Sequence, residues 1–428
     1  MGKGHLRFLT VICTFIFSVS SINLANAANP KPGASCSKKG VVQVVNNKKF
    51  TCNLKGKKLV WDSGISVAKI TTPASSSVLP TPTPTPTPTL TPAPTPAPVP
   101  TPVQSAFNPP SLPTSFNDLE SHLSGIIYGS WLRASEQIKN SNEKLGDFRF
   151  LTGPNTTLDF KDRLKVISNV TKLYSNFSAP KNLTIIEYNF KDIDWAQEQY
   201  KSIKTTFYDP NLAKNQCSSE FGCNSGFAGI TQNGDGVVLV GQGSTEVSTN
   251  HEYRVLRGQV YAHEYTHVVQ MVNSLNPNSG ATYGMLPQWL LEGNADWSGT
   301  AATFNENYTD YLRLRNLSLD NQYKNSATFT SEWIKTFLNP NFNSSVGQNN
   351  WSYWDKYDRW YVYAFGQMVN EILVSIKGTD SVMNLYNDSG NGMSFTDAFQ
   401  KEFGMPWSEA INYISEAIAA ELKQGIKS

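Results

Sequence analysis

The chain has 428 residues, of which 39% are hydrophobic and 12% aromatic, and its formal net charge is +2. This length is enough for two or three domains, and the apolar fraction can build a sizeable hydrophobic core. The composition therefore excludes a chain that is disordered throughout.

The N-terminus, residues 1–27, has the pattern of a secretory signal peptide. A short basic start, MGKGHLR, precedes the apolar run FLTVICTFIFSVSSI, and small residues follow at Ala25-Asn26-Ala27. The alternative is a single membrane anchor, but the run is short for a membrane span and small residues follow it at once. No second long apolar run appears in the sequence. The sequence therefore predicts a secreted, extracellular or cell-envelope protein with no transmembrane segment after signal removal.

Residues 28–70 form a small lysine-rich module with two cysteines. Its segments VVQVV and KKFTCNL, on either side of Asn46-Asn47, have the pattern of a two-stranded hairpin. Proximity pairs Cys36 with Cys52, and so small a core needs such a bridge. Nine lysines against one acidic residue give the module a net charge of about +8, which favours attachment to an anionic cell-envelope polymer. The alternative is a solubilising leader without a partner, and nucleic acid is disfavoured for an exported protein.

Residues 71–104 are a Thr/Pro-rich linker, because alternating Thr-Pro supports neither a helix nor a central strand and favours extended polyproline II. The remaining residues, 105–428, form the globular part, with 25 basic and 33 acidic side chains. Proximity here pairs Cys217 with Cys223, since an even number of cysteines in an exported chain predicts disulfides. A four-cysteine zinc site is the alternative, but no C-x-x-C spacing supports it.

The elements of the globular part predict an α+β fold. Residues 115–138 have a helical pattern and belong either to the domain or to a segment that covers its cleft. Residues 183–190 are strand-like, residues 192–207 are helical, and residues 236–242, GVVLVGQ, form a strongly apolar strand. From about residue 250 onward the apolar residues recur mostly at helical spacing.

The segment YAHEYTHVVQM contains the pattern H-E-x-x-H at His263, Glu264 and His267. Residues four apart lie on one face of a helix, so both imidazoles can bind the same metal ion. Glu264, next to the first histidine, can reach a metal-bound water without binding the metal itself. The alternative is two buried histidines with a salt-bridged glutamate. A third ligand distinguishes the two, because catalytic zinc usually has three protein ligands and a water.

The third ligand predicted from the sequence is Glu292. No histidine follows His267, so a ligand further along the chain must be acidic. In the segment LPQWLLEGNADWSG, Glu292 and Asp296 lie four residues apart, on one helical face, among large apolar residues. Buried carboxylates need a partner, and a cation is the obvious one; the alternative is a helix with two solvated acids. Glu292 is thus predicted to bind the metal, and Asp296 to accept a hydrogen bond from a ligand histidine.

HEYTH followed by WLLEGNAD resembles the gluzincin zinc metallopeptidases, of the bacterial-collagenase-like and aminopeptidase-like type. The resemblance extends over about residues 180–420. It implies a zincin-like α+β domain, with a mixed sheet, an active-site helix and a mostly helical C-terminal lobe. It also implies one Zn2+ per chain and a peptide or protein substrate. A G-x-M-E-N exopeptidase element does not occur before the motif, which favours an endopeptidase.

The resemblance also assigns roles around the metal. Zinc lowers the pKa of its bound water toward about 7, and Glu264 acts as the general base. Tyr363, in the segment YAFG, matches the Y-x-x-G element of aminopeptidase-like members and is the candidate for stabilising the oxyanion. Tyr361 and His251 are the alternatives for that role.

Such enzymes place an edge strand, which pairs with the substrate, before the motif helix. In this chain the corresponding segment is GVVLVGQ, so the resemblance implies that an extended peptide binds by strand addition. The backbone groups expected to bind it belong to Val238, Leu239, Val240 and Gly241.

The sequence thus predicts a secreted zinc peptidase. The alternative is a catalytically silent metal-binding or cell-envelope adhesion protein on the same fold. The intact Glu264 argues against this alternative, because inactive versions often lose the base. The motif defines the metal chemistry and leaves the substrate open, so a non-protein amide or ester is a further alternative.

Overall fold

The computed structural model describes residues 31–35, 42–45, 48–56, 58–63, 65–66, 107–144, 146–157, 163–220, 223, 226–243, 258–276, 280–281, 286–339 and 357–425. The chain divides into two units, Met1–Gln104 and Ser105–Ser428. The predicted signal peptide and linker, together with Cys36 and His251, lie outside the described residues.

The first unit contains a small antiparallel sheet. Its described strands are β1 Val42–Val45, β2 Lys48–Lys55, β3 Lys58–Trp61 and β4 Ile65–Ser66, and β2 pairs with the other three. Strands β1 and β2 pair in the register expected for the predicted hairpin, with Val45 opposite Lys48. The core consists of little more than Phe50, Cys52 and Trp61. Cys52 is disulfide-bonded, as so small a core requires.

Four strands of the second unit form a mixed sheet. In chain order they are β5 Asp147–Thr152, β6 Asn182–Tyr188, β7 Gly226–Ile230 and β8 Gly236–Gly241; β9 Leu275–Asn276 and β10 Gly280–Ala281 form a separate pair. The spatial order is β5-β6-β8-β7, in which β5, β6 and β8 are parallel and β7 runs antiparallel to β8. Strand β7 therefore forms one edge of this sheet.

The apolar strand β8 is an inner strand, whereas the sequence predicts an edge. Val238 pairs with Ile185 of β6 on one side and with Ala228 of β7 on the other, and Leu239 and Val240 are likewise paired on both sides. A continuous apolar run is typical of a strand buried on both faces, which is the environment of an inner strand. Val238, Leu239 and Val240 therefore have no free backbone edge for a substrate, so their predicted role in strand addition is wrong. Among the described strands, Gly241 pairs only with Tyr188 of β6.

The sheet separates two hydrophobic clusters. Successive side chains of a strand point to opposite faces, so Val238 and Val240 join the larger cluster, and Val237 and Leu239 join the smaller one. The smaller cluster includes Cys217 and Cys223, which form a disulfide with each other, as proximity predicts. This disulfide closes a loop that precedes the edge strand β7.

Helices make up most of the rest of the second unit. In the described residues they are α1 Leu123–Asn140, α2 Arg163–Leu173, α3 Ile193–Ile203, α4 Leu212–Gln216, α5 Gln259–Asn273, α6 Gln288–Thr303, α7 Tyr308–Ser318, α8 Asp320–Lys324, α9 Ser331–Leu338, α10 Tyr361–Lys377, α11 Asp380–Gly390, α12 Phe395–Phe403 and α13 Trp407–Gln424. This architecture confirms the α+β class. None of the described helices combines the length and the apolarity needed to cross a membrane.

Helix α1 belongs to the core of the second unit and does not cover a cleft. Its residues Leu123, Ile126 and Ala134 are buried in the larger cluster, and the helix packs against α10. Arg133 Nε donates a hydrogen bond of 3.0 Å to the carbonyl of Ser375 in α10. The helical pattern of residues 115–138 therefore marks a structural part of the domain.

Helices α6 and α10 touch backbone to backbone. A Cβ added at Gly293 of α6 would lie 2.0 Å from the carbonyl carbon of Gly366 in α10. Conversely, a Cβ at Gly366 would lie 2.1 Å from the carbonyl oxygen of Trp289. Only glycine permits so close an approach. Gly293 of the EGNAD segment and Gly366 of the YAFG segment thus form one contact, and this contact lies close to both Glu292 and Tyr363 in the sequence.

Candidate metal centre

Two helices that pack against each other, α5 and α6, bring three metal-binding side chains together. His263 and His267 lie one turn apart on α5, and their Nε2 atoms are 3.1 Å apart. Glu292 of α6 faces them, with Oε2 at 3.4 Å from His263 Nε2 and 3.2 Å from His267 Nε2. The side chains of the two histidines are 5% and 8% exposed, and that of Glu292 is 19% exposed. The cluster is therefore almost buried and meets solvent mainly through Glu292.

The three donor atoms fit a small tetrahedral ion. Ligands held at about 2.0–2.1 Å with tetrahedral angles lie about 3.3 Å from one another, which matches the separations of 3.1 to 3.4 Å. Calcium needs six to eight oxygen ligands at longer distances, whereas two imidazoles and one carboxylate suit zinc and similar ions. The group His263, His267 and Glu292 can therefore hold a metal ion.

Asp296 orients the first histidine. It lies one helical turn after Glu292 on α6, and its Oδ1 is 2.7 Å from His263 Nδ1. A carboxylate at that distance accepts a hydrogen bond from Nδ1–H, which leaves Nε2 as the atom that can bind a metal. Asp296 thus lies where the sequence predicts a partner for a ligand histidine.

Gln270 orients the second histidine, and sequence reasoning missed it. Its Oε1 is 2.8 Å from His267 Nδ1. Its Nε2 donates to the carbonyl of Leu291 and to Asn294 Oδ1 on α6, at 3.1 and 3.0 Å. These two acceptors fix the orientation of the amide, so Oε1 must accept from His267 Nδ1–H. The only signal in the sequence is a polar residue three positions after His267, on an otherwise apolar stretch.

Buried charges of opposite sign share the centre. Burial lowers the pKa of His263, but hydrogen bonds to Asp296 and Glu292 outweigh this effect and raise that pKa to about 10. Burial also opposes the charged form of His267, yet the charge of Glu292 raises its pKa. Burial alone would raise the pKa of Glu292, but the two histidines hold it well below its usual range. A metal ion that binds at neutral pH must therefore displace a proton.

Glu264 lies beside this cluster and against the edge strand. Its charge helps to raise the pKa of both histidines, and its residue is only 6% exposed. A Cβ added at Gly226 of β7 would lie 2.3 Å from Glu264 Oε1 and 2.6 Å from its Cδ. Glycine at this position therefore leaves the space that the Glu264 carboxylate occupies. Glu264 is therefore close both to the two histidines and to the backbone of β7.

The two candidate tyrosines have different surroundings. The ring of Tyr363 stacks against that of His263, with centroids 6.1 Å apart and an interplanar angle of 21°. Tyr361 instead packs in an aromatic cluster with Phe329, Trp333 and other rings. Of the two, Tyr363 is the one that reaches the metal-binding cluster.

No known protein family, curated protein or solved structure matches the chain. The functional conclusion therefore depends on the residues and the geometry of this centre.

Replacement of Gln270 with leucine is expected to weaken zinc binding by about 10- to 100-fold, because His267 loses the acceptor that fixes its ring. Competition with a chromophoric chelator measures this loss. The matched control is Thr266→Val, which removes hydrogen bonds to Ala262 and Ser298 on the same helix without touching a ligand. Equal weakening in both variants would mean that general damage to the helix, and not the orientation of His267, is measured.

Proposed function

We propose that the protein is a secreted zinc-dependent endopeptidase with a zincin-like catalytic domain. The observation that carries this proposal is the position of Glu264. Its carboxylate lies against Gly226 of the edge strand β7, and its charge acts on both histidines of the buried group that could hold a metal ion. A structural metal site needs no such neighbouring carboxylate, whereas hydrolysis needs a general base beside the metal-bound water.

Each residue of the centre has a role in the proposed reaction. His263, His267 and Glu292 would hold the zinc ion. When bound, zinc supplies a Lewis acid and a water whose pKa is lowered toward about 7. Glu264 accepts a proton from water at its carboxylate and delivers it to the leaving amine. Tyr363, whose ring stacks on His263, is the proposed hydrogen-bond donor to the developing oxyanion.

Strand β7 replaces β8 as the proposed substrate-binding edge. Among the described strands only β8 pairs with β7, and Thr206 bonds to Ile230 at its far end. The outer edge of Gly226–Gly229 is thus the part suited to strand addition by an extended peptide. Gly226, at the start of this strand, lies against Glu264, so a peptide bound along the edge would pass close to the proposed base.

The composition of β7 supports an endopeptidase. An aminopeptidase needs an acidic group that binds the free amino terminus of its substrate. The strand Gly226–Ile230, GFAGI, has no acidic residue. The strand β7 itself therefore offers no group that would bind a free amino terminus.

Export and attachment to the cell envelope belong to the same proposal. The signal-like residues 1–27 support secretion, and the disulfide Cys217–Cys223 suits an oxidising compartment. The lysine-rich residues 28–70 suit an anionic cell-envelope polymer. Envelope pull-down with this module deleted tests the attachment.

Removal of the metal tests the proposed activity. The full secreted chain is expected to contain about one zinc ion and to cleave an internally quenched peptide library. A chelator is expected to abolish cleavage, and stoichiometric zinc to restore it. Cleavage that survives complete removal of the metal would contradict the proposal. A zinc-loaded chain that cuts no peptide would instead favour the silent metal-binding or adhesion protein.

A further inference from the structure

The most exposed of the large hydrophobic side chains in the described residues is that of Trp360. The residue is 68% exposed and directly precedes α10. A single exposed hydrophobic side chain is common on protein surfaces and needs no explanation by itself. The Trp360 indole differs from the other exposed hydrophobic side chains in its position relative to the candidate metal centre.

The backbone around Trp360 is held in place by the start of α10. The Trp360 amide donates to Asp358 Oδ1 at 3.0 Å. The amide of Tyr361 donates to the Asp358 carbonyl at 3.1 Å, and that of Tyr363 to the Trp360 carbonyl at 3.3 Å. These bonds form the first turn of a helix whose later residues are buried. The indole is therefore presented to solvent from a fixed backbone.

Three aromatic rings lead from solvent to the metal-binding cluster. The indole of Trp360 lies 5.5 Å from the ring of Tyr363, at an interplanar angle of 35°. Tyr363 in turn stacks on His263 at 6.1 Å. Together the two separations place the indole within about 12 Å of a metal-binding imidazole, a distance that about three or four residues of an extended peptide cover.

We propose that Trp360 is a specificity-determining residue that binds an aromatic or large aliphatic side chain of the substrate, a few residues from the scissile bond. This inference rests on the proposed peptidase function. An indole buries a large apolar face and stacks well on other rings, and Trp is enriched among the residues that dominate peptide and protein recognition. Because the backbone of Trp360 is already ordered, little conformational entropy is lost when a substrate covers it.

Paired substrates test this role in the full chain. Library cleavage first identifies the substrate position at which an aromatic or large aliphatic side chain is preferred. Two internally quenched peptides then differ only in having Phe or Ala at that position. We expect Trp360→Ala to lower kcat/KM for the Phe peptide by about 10-fold or more and to leave the Ala peptide within about 2-fold of wild type. Trp360→Phe is expected to restore most of the preference. A loss that is equal for both peptides, or no loss for either, would overturn the proposal.

Binding measurements separate this proposal from the proposed function. In the Glu264→Gln background, fluorescence anisotropy gives the Kd of the same two peptides without turnover. If wild type cleaves no peptide, the proposed function fails, and the binding test then uses peptides that carry Phe or Ala at each position in turn. A Phe preference in their binding that Trp360→Ala removes would still support the role of the indole. If neither peptide binds, or if the Phe preference persists in Trp360→Ala, the role of Trp360 is overturned.

Discussion

Replacement of Glu264 with glutamine is expected to lower kcat/KM for peptide hydrolysis by about 10³- to 10⁴-fold. Glutamine keeps the shape of the side chain but cannot accept a proton from water. The three proposed ligands are unchanged, so the zinc content should stay at about one ion per chain. Kinetics on a quenched peptide, with metal analysis on the same sample, measures both quantities.

A second substitution displaces the Glu264 carboxylate and leaves residue 264 a glutamate. Gly226→Ala places a methyl group where the Glu264 carboxylate lies, so the carboxylate must move. Activity should fall by about 10²-fold or more, since small displacements of a reacting group are costly. The matched control is Gly229→Ala in the same strand, whose added methyl meets the Phe227 ring at 3.1 Å and not Glu264.

Comparison of the two glycine variants tests whether activity depends on the observed position of the Glu264 carboxylate. If Gly226→Ala stays as active as Gly229→Ala, then Glu264 does not need its observed position, and its assignment as the base is wrong. A loss of zinc in Glu264→Gln would place Glu264 among the ligands instead.

Replacement of Gly293 with alanine is expected to destabilise the second unit by about 3 kcal/mol and to lower its Tm by about 5 °C or more. The added methyl would lie 2.0 Å from the carbonyl carbon and 2.3 Å from the Cα of Gly366. Backbone atoms cannot turn aside as a side chain does, so α6 and α10 must separate. Because α6 carries Glu292 and α10 carries Tyr363, activity should fall as well.

Gly129→Ala is the matched control for this substitution. It also adds a methyl group to a helical glycine, but the nearest atoms belong to the side chains of Leu112 and Ser375, at 3.1 and 3.4 Å. The gain in helix propensity, about 1 kcal/mol, should offset the small repacking there. Thermal unfolding of the full chain, followed by circular dichroism, compares the two. Equal Tm values would show that the helix crossing tolerates a wider separation than its geometry implies.

Local spacing was enough to predict four residues of the candidate metal centre. His263, His267, Glu292 and Asp296 are related by steps of four residues within two helices, and a helix alone fixes such neighbours on one face. The structure brings all four together, with Asp296 at 2.7 Å from His263. The α+β class followed from a similar local signal, the change from strand to helical periods along the chain.

Features that depend on contacts between distant elements could not be predicted in the same way. The apolar pattern of Val237–Val240 indicates burial, but which strand lies at the edge depends on where Gly226–Ile230 pairs. Gln270 has no spacing signature because its role arises only when α6 brings Leu291 and Asn294 to it. The approach of Gly226 to Glu264 likewise joins a strand residue to a helix residue more than thirty positions away in the sequence.

Glu292 and Tyr363 both lie close to the point where α6 and α10 touch through their glycines. Glu292 lies one residue from this point and Tyr363 three residues from it, which is about 1.5 and 4.5 Å along the two helix axes. At such short distances, a tilt of either helix by several degrees moves these two backbone positions by less than about 1 Å. Bending elsewhere in the helical lobe should therefore change the distance between the backbones of Glu292 and Tyr363 very little. A movement that widens the site for a substrate is then expected on the side of the sheet, where β7 pairs with one described strand, β8, and packs against α5.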